Sequence, residues 1–150
     1  MPPILIVGNW KMNMGISDSR SLASKIRMGV RSFENVSVIV CPSFTSLSVV
    51  KEELNGSPIL VGAQNTHEED KGAYTGEISP SMLAPLCTHV IVGHSERRRL
   101  FGETDSMVNS KIKGILRWGL TPILCVSGDV QNPNIQETAN GVTKQLTVAL

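Results

Sequence analysis

The sequence predicts an α/β fold built on a parallel sheet that is covered on both faces. Five short apolar runs, rich in β-branched residues, recur at 4–7, 36–41, 59–62, 89–92 and 121–126. Their spacing of roughly thirty residues is that of βα units. Segments of helical period lie between them. The runs themselves are largely continuous in apolar residues, as strands buried on both faces require. At 150 residues, 41% of them hydrophobic, the chain suits one domain, 1–150, with a single core and no second domain.

Each element has a local reason. After the first strand, Ser17 reads as an N-cap, and Leu22, Ile26, Val30 and Phe33 follow on one helical face. Ser79-Pro80 supplies a cap and then a proline at the first helical position, where its missing N–H is no loss, opening a short helix through Leu86. Behind Thr104 and Asp105, Val108, Ile112, Ile115 and Leu116 share a face, and Gly119 reads as the stop. Ile135, Ala139, Val142, Leu146 and Ala149 mark a last helix. Two longer loops remain, 65–78, rich in charge and glycine, and 127–134.

Composition narrows the function classes. The 14 basic and 13 acidic side chains nearly cancel, and the longest like-charged basic run is Arg97-Arg98-Arg99, so charge points to neither nucleic acid nor membrane. The first apolar run is far too short for a signal core or a membrane span. Cys41, Cys87 and Cys125 are odd in number and form no C-x-x-C pair, which reads as reduced thiols in a cytoplasmic setting. A small molecule or another protein is the expected partner.

Parallel βα architectures concentrate chemistry beyond the carboxyl ends of their strands, where the loops converge on one rim. That rule gathers Asn9 and Lys11, Gln64 and Asn65, His94, Ser95 and Glu96, and Cys125, Ser127 and Asp129. Each has a plain alternative. Lys11 could be a solvated charge, and His94 a loop histidine bonded to backbone. Glu96 could belong to a surface ion-pair cluster with the three arginines, and Asn9 and Asn65 could fold their own turns. The shared rim favours function. His67, Glu68, Glu69 and Asp70 are contiguous and lack metal-ligand spacing, so they read as a solvated loop and no metal is expected. Gly8-Asn9-Trp10-Lys11 lacks the glycines of a dinucleotide loop.

Specific strings go further. Gly8-Asn9-Trp10-Lys11-Met12-Asn13, Gly62-Ala63-Gln64-Asn65, Gly72-Ala73-Tyr74-Thr75-Gly76-Glu77-Ile78-Ser79, Gly93-His94-Ser95-Glu96-Arg97-Arg98 with Phe101-Gly102-Glu103-Thr104-Asp105, and Pro122-Ile123-Leu124-Cys125-Val126 occur in order. In order and separation they resemble the triosephosphate isomerase family over essentially the whole chain. The resemblance implies a TIM (β/α)8 barrel, here an incomplete barrel of about five parallel strands with intervening helices. It implies interconversion of dihydroxyacetone phosphate and glyceraldehyde 3-phosphate through an enediolate, without metal or organic cofactor. By the same resemblance Lys11 is the cation, Asn9 a polar contact to substrate, His94 the electrophile, and Glu96 the residue that holds the lysine. The family is itself a standard illustration of a catalytic histidine kept neutral by a helix N-terminus. Loop 65–78 resembles the family's dimer loop, with Thr75 reaching the partner of a homodimer.

Two departures temper this. A complete barrel takes about 250 residues. The units carrying the family's catalytic glutamate, lid loop and phosphate-binding glycines are therefore expected to be missing, leaving the general base absent from this chain and the chain alone inactive. Glu137, within a helical segment and without the family's surrounding motif, does not replace it. After the fifth strand, Ser127-Gly128-Asp129 stands where the family usually has Gly-Glu. Alternatives are a non-catalytic interaction subunit and a phosphate-binding module of flavodoxin type. Strand order 2-1-3-4-5 would mark the latter, whereas 1-2-3-4-5 marks an opened barrel.

Overall fold

The computed structural model describes residues 4–30, 34–126 and 135–150. Its strands are β1 (Ile4–Asn9), β2 (Val36–Cys41), β3 (Ile59–Ala63), β4 (His89–Val92) and β5 (Thr121–Leu124). They form one sheet in the order β1-β2-β3-β4-β5, every pair parallel. Sequential order excludes the doubly wound alternative, and the sheet is the first five strands of an incomplete (β/α)8 barrel. Its helices are α1 (Ile16–Gly29), α2 (Leu47–Glu53), α3 (Pro80–Leu83), α4 (Ser95–Phe101), α5 (Asp105–Arg117) and α6 (Ile135–Ala149).

Strand alternation sorts the apolar side chains onto two faces. Val40, Val61, Val90 and Val92 pack with Ala23, Leu47, Val50, Val108 and Ile115 from the helices in the main core. Ile39, Cys41 and Ile91 cluster on the other face, joined by Val7, Leu60, Ile123 and Cys125. Full burial of a side chain such as Ile39 or Ile115 contributes about 1.5–3 kcal/mol. Gly62 lies under the second cluster, where a Cβ would meet Cys41 Sγ at 2.7 Å and Ile39 Cγ2 at 3.1 Å. β1 is the exception to this burial: Ile4, Leu5 and Ile6 are all exposed.

Several boundaries differ from expectation. Gly15, not Ser17, caps α1: the Ser19 N–H already bonds to Gly15 O (3.0 Å), which places Ser17 inside the first turn. The helix opened by Ser79-Pro80 ends at Leu83, although turn hydrogen bonds carry on to Cys87. Pairing extends β1 to Asn9 and stops β5 at Leu124. Ser79 and Thr104 do cap their helices, accepting from Met82 N and Met107 N at 3.3 Å. Gly119 (φ 68°) closes α5 as a Schellman turn, with Gly119 N bonded to Leu116 O and Leu120 N to Ile115 O. Phe33, Ser127, Gly128 and Asp129 lie outside the described residues.

Candidate active site

The carboxyl ends of β1, β3 and β4 meet around a cavity of about 210 Å³ lined by Asn9, Lys11, Gln64, His94, Glu96 and Phe101, among others. Asn9 is the last residue of β1, and its Oδ1 accepts the Lys11 N–H at 2.9 Å. Lys11 adopts a left-handed backbone (φ 53°) and reaches across to Glu96, Nζ to Oε1 2.7 Å. His94 follows β4 and caps α4, its Nδ1 accepting the Glu96 N–H at 3.3 Å. The same nitrogen lies 3.6 Å from Glu96 Oε2. It cannot both accept the amide and donate to the carboxylate. The amide hydrogen, fixed by the helix, makes acceptance the governing contact, so Nε2 is the donor the ring offers.

The Lys11 hydrogen bond holds the Glu96 carboxyl below its ordinary range against a smaller opposing effect of burial, and His94 and Arg99 add to the lowering. The pair remains partly wet, Lys11 52% and Glu96 38% exposed, so it orients the ammonium more than it stabilises the fold. The alternative of a surface cluster between Glu96 and the arginines does not hold for Arg97 and Arg98, which turn to other partners. Arg97 pairs with Glu103 at 3.3 Å, and Arg98 bonds to Asp105 (2.5 Å) and to Gly93 O (2.7 Å).

Beneath His94 is a buried network that no sequence motif assigned to the site. Glu103, 4% exposed, accepts from Gly93 N at 3.1 Å and from Lys111 Nζ, and Lys111 also donates to Asn65 Oδ1 at 2.9 Å. Gly93 is thus held at its N–H by Glu103 and at its carbonyl by Arg98. Its φ of 68° and a Cys125 O only 3.1 Å from an added Cβ leave room for glycine alone. Lys111 had a legible signal: it stands within the apolar stripe of Val108, Ile112 and Ile115, where a cation needs a buried partner.

The sequence model of the triosephosphate isomerase family matches residues 4–150. The chain belongs to that family. It is 48% identical to the triosephosphate isomerase of Dehalococcoides mccartyi (strain BAV1) over 144 residues, covering 96% of this chain and 55% of the relative. It is also 48% identical to that of Synechococcus sp. (strain JA-2-3B'a(2-13)), covering 100% of this chain and 62% of the relative. Among solved structures, triosephosphate isomerase from Bartonella henselae superposes with a TM-score of 0.88 at 35% identity, over 100% of this chain and 62% of that one. The chain therefore spans a little over half the length of these family members.

Asn9, Lys11, His94 and Glu96 come together at the cavity; Thr75 does not. It lies at the exposed tip of loop 65–78. In that loop His67 stacks on Tyr74 (centroids 4.2 Å apart) and its Nδ1 accepts the Glu69 N–H at 3.0 Å. Asp70 ties the loop to the end of α5, accepting from Trp118 Nε1 at 2.8 Å.

Proposed function

We propose that the full-length protein containing this chain interconverts dihydroxyacetone phosphate and glyceraldehyde 3-phosphate, and that residues 4–126 supply the cation and the electrophile of that reaction. The observation that carries this is the convergence of Lys11 and His94 on one cavity, with Glu96 bonded to both. Proton removal from carbon leaves negative charge on the neighbouring oxygen. Donors already aimed at that oxygen lower the barrier because they need no reorganisation during the reaction. His94 Nε2–H is such a donor. The Lys11 ammonium balances the phosphate and the growing enediolate charge, and Asn9 orients the substrate oxygen.

Among the described residues Glu96 is the only carboxylate lining the cavity, and Lys11 engages it. The proton acceptor for the carbon acid is therefore proposed to lie outside the described residues, in the full-length protein, and the 150-residue chain alone is expected to show no turnover. The cytoplasm is the proposed setting; among the described residues no helix is long and apolar enough to cross a membrane. Loop 65–78 is proposed as a homodimer contact through Thr75. The test is purification of the full-length protein and an assay of glyceraldehyde 3-phosphate conversion with and without chelator. Turnover insensitive to chelator is expected, and absence of turnover in a folded preparation overturns the reading.

A further inference from the structure

We propose that Asn55, in the turn between α2 and β3, is a site of spontaneous deamidation whose isoaspartyl product breaks the turn leading into β3. The sequence holds two Asn-Gly pairs, Asn55-Gly56 and Asn140-Gly141. In such a pair the glycine backbone nitrogen can attack the asparagine Cγ, because the glycine carries no Cβ to obstruct the approach. The N–Cγ bond forms, the Cγ–Nδ2 bond breaks, and the amide nitrogen leaves as ammonia with the proton of the glycine N–H. Water then opens the cyclic imide at either carbonyl, giving aspartate or isoaspartate.

The fold treats the two pairs differently. Asn55 and Gly56 are both exposed beyond the end of α2, and among the described residues the Gly56 N–H donates to no acceptor. The hydrogen bonds of the turn run past it: Asn55 N donates to Glu52 O at 3.2 Å, and Ser57 N to Leu54 O at 3.0 Å. Gly56 has a φ of 74° and open space around the position of a Cβ. The nucleophile is therefore unengaged and wet. Asn140-Gly141 instead lies inside α6, where the Asn140 Oδ1 accepts from Gln136 Nε2 at 3.2 Å. A helix bonds each interior N–H to the carbonyl four residues back, so attack there waits for α6 to open.

The turn at Asn55 has little slack. Leu54, 3% exposed, and Ile59, 5% exposed, anchor its two ends in the main core. Between them Leu54 O also accepts from Ser57 Oγ at 2.7 Å, and Ser57 Oγ accepts the Ile59 N–H at 3.3 Å. An isoaspartyl link adds a methylene to the main chain between Leu54 and Ser57, so these bonds cannot all survive. Aspartate leaves the main chain unchanged and adds only a charge close to Glu52 and Glu53.

The experiment ages the folded full-length protein in heavy-oxygen water and maps its peptides by mass spectrometry, with isoaspartyl methyltransferase to identify isoaspartate. Asn55 takes up label at least about 10-fold faster than Asn140, because the latter reacts only in molecules whose α6 has opened, and both aspartate and isoaspartate appear. Conversion of Asn55 no faster than that of Asn140, or to aspartate alone, overturns the site. The parent protein decides this without any substitution. The acidic fraction of the aged protein is then melted beside Asn55→Asp, which supplies the aspartyl form. The aged fraction melts lower until the methyltransferase repairs it, and equal melting before repair overturns the broken turn.

Discussion

With Glu103 replaced by alanine, Lys111, 4% exposed, retains only Asn65 Oδ1, 2.9 Å away, as an acceptor. The Gly93 N–H loses its acceptor as well. Breaking a buried pair from one side costs about 3–5 kcal/mol. That is a large part of the roughly 5–15 kcal/mol by which a domain is stable. Glu103→Gln with Lys111→Met should behave differently, because it removes both charges and keeps an acceptor for Gly93. It should cost about 1 kcal/mol, from the lost donor to Asn65. Urea unfolding of the full-length protein, followed by far-ultraviolet circular dichroism, measures both. The pH dependence has a definite sign. Burial pushes the Glu103 carboxyl up, but Lys111 and Arg97 together outweigh it and leave it below its ordinary value of 4.5. A depressed folded value means stability that is fully present above 4.5 and lost as pH falls through the folded value. The double variant should lack that acid slope. A Glu103→Ala protein within about 1 kcal/mol of the parent, or a double variant as unstable as the single, would refute the reasoning.

In the full-length protein, His94→Ala or Lys11→Met should lower turnover at least about 100-fold, since each removes a donor worth about 3 kcal/mol at the transition state; near-normal steady-state rates would remove that residue from the mechanism. Thr75→Arg should shift the full-length protein toward monomer by light scattering at micromolar concentration, and an undiminished dimer would count against loop 65–78 as the contact. Burial pushes the Cys41 thiol up to about 12 and the Cys87 thiol up to about 11, leaving both protonated at pH 8. Iodoacetamide should therefore reach Cys125, less buried than the other two, first by mass spectrometry. Labelling of Cys41 at the denatured rate would refute its burial in the folded protein. Because these folded values are raised, the stability they contribute is complete below 9 and declines as pH rises toward 12 and 11.

The strands and the rim were legible because they depend on short-range pattern. Apolar runs located all five strands, and the rule of carboxyl-end loops gathered Asn9, Lys11, Gln64, His94 and Glu96 from the sequence alone. Ser17 misled because serine is a good cap wherever a helix begins, and only the path of the chain through Met14 (φ 68°) and Gly15 fixes the cap two residues earlier. Partners of the arginines were illegible for a different reason. Sequence shows three like charges in a row, whereas α4 sends Arg97 to Glu103 and Arg98 to Gly93 and Asp105, contacts that exist only once α4 and the start of α5 are folded against β4. The left-handed backbone at Lys11 had no signal at all, since lysine is not a residue that favours it.

Because each strand pairs only with its neighbours in sequence, the sheet can be assembled in the order of synthesis. Among the described residues Ile4 meets Val36, Val38 meets Ile59, Gly62 meets His89, and His89 meets Thr121, so every closure among these five strands spans one βα unit. Loop-closure entropy grows only slowly with length, so these steps differ little in cost and none is a pronounced bottleneck. On a ribosome releasing about 5–20 residues per second, each unit has a second or more to dock before the next emerges. β1 has its partner early but retains an open outer edge throughout. The growing sheet therefore carries one aging edge, at Ile4, Leu5 and Ile6, and one that is renewed with each added unit. That makes β1 the segment for a ribosome-bound chaperone to shield longest.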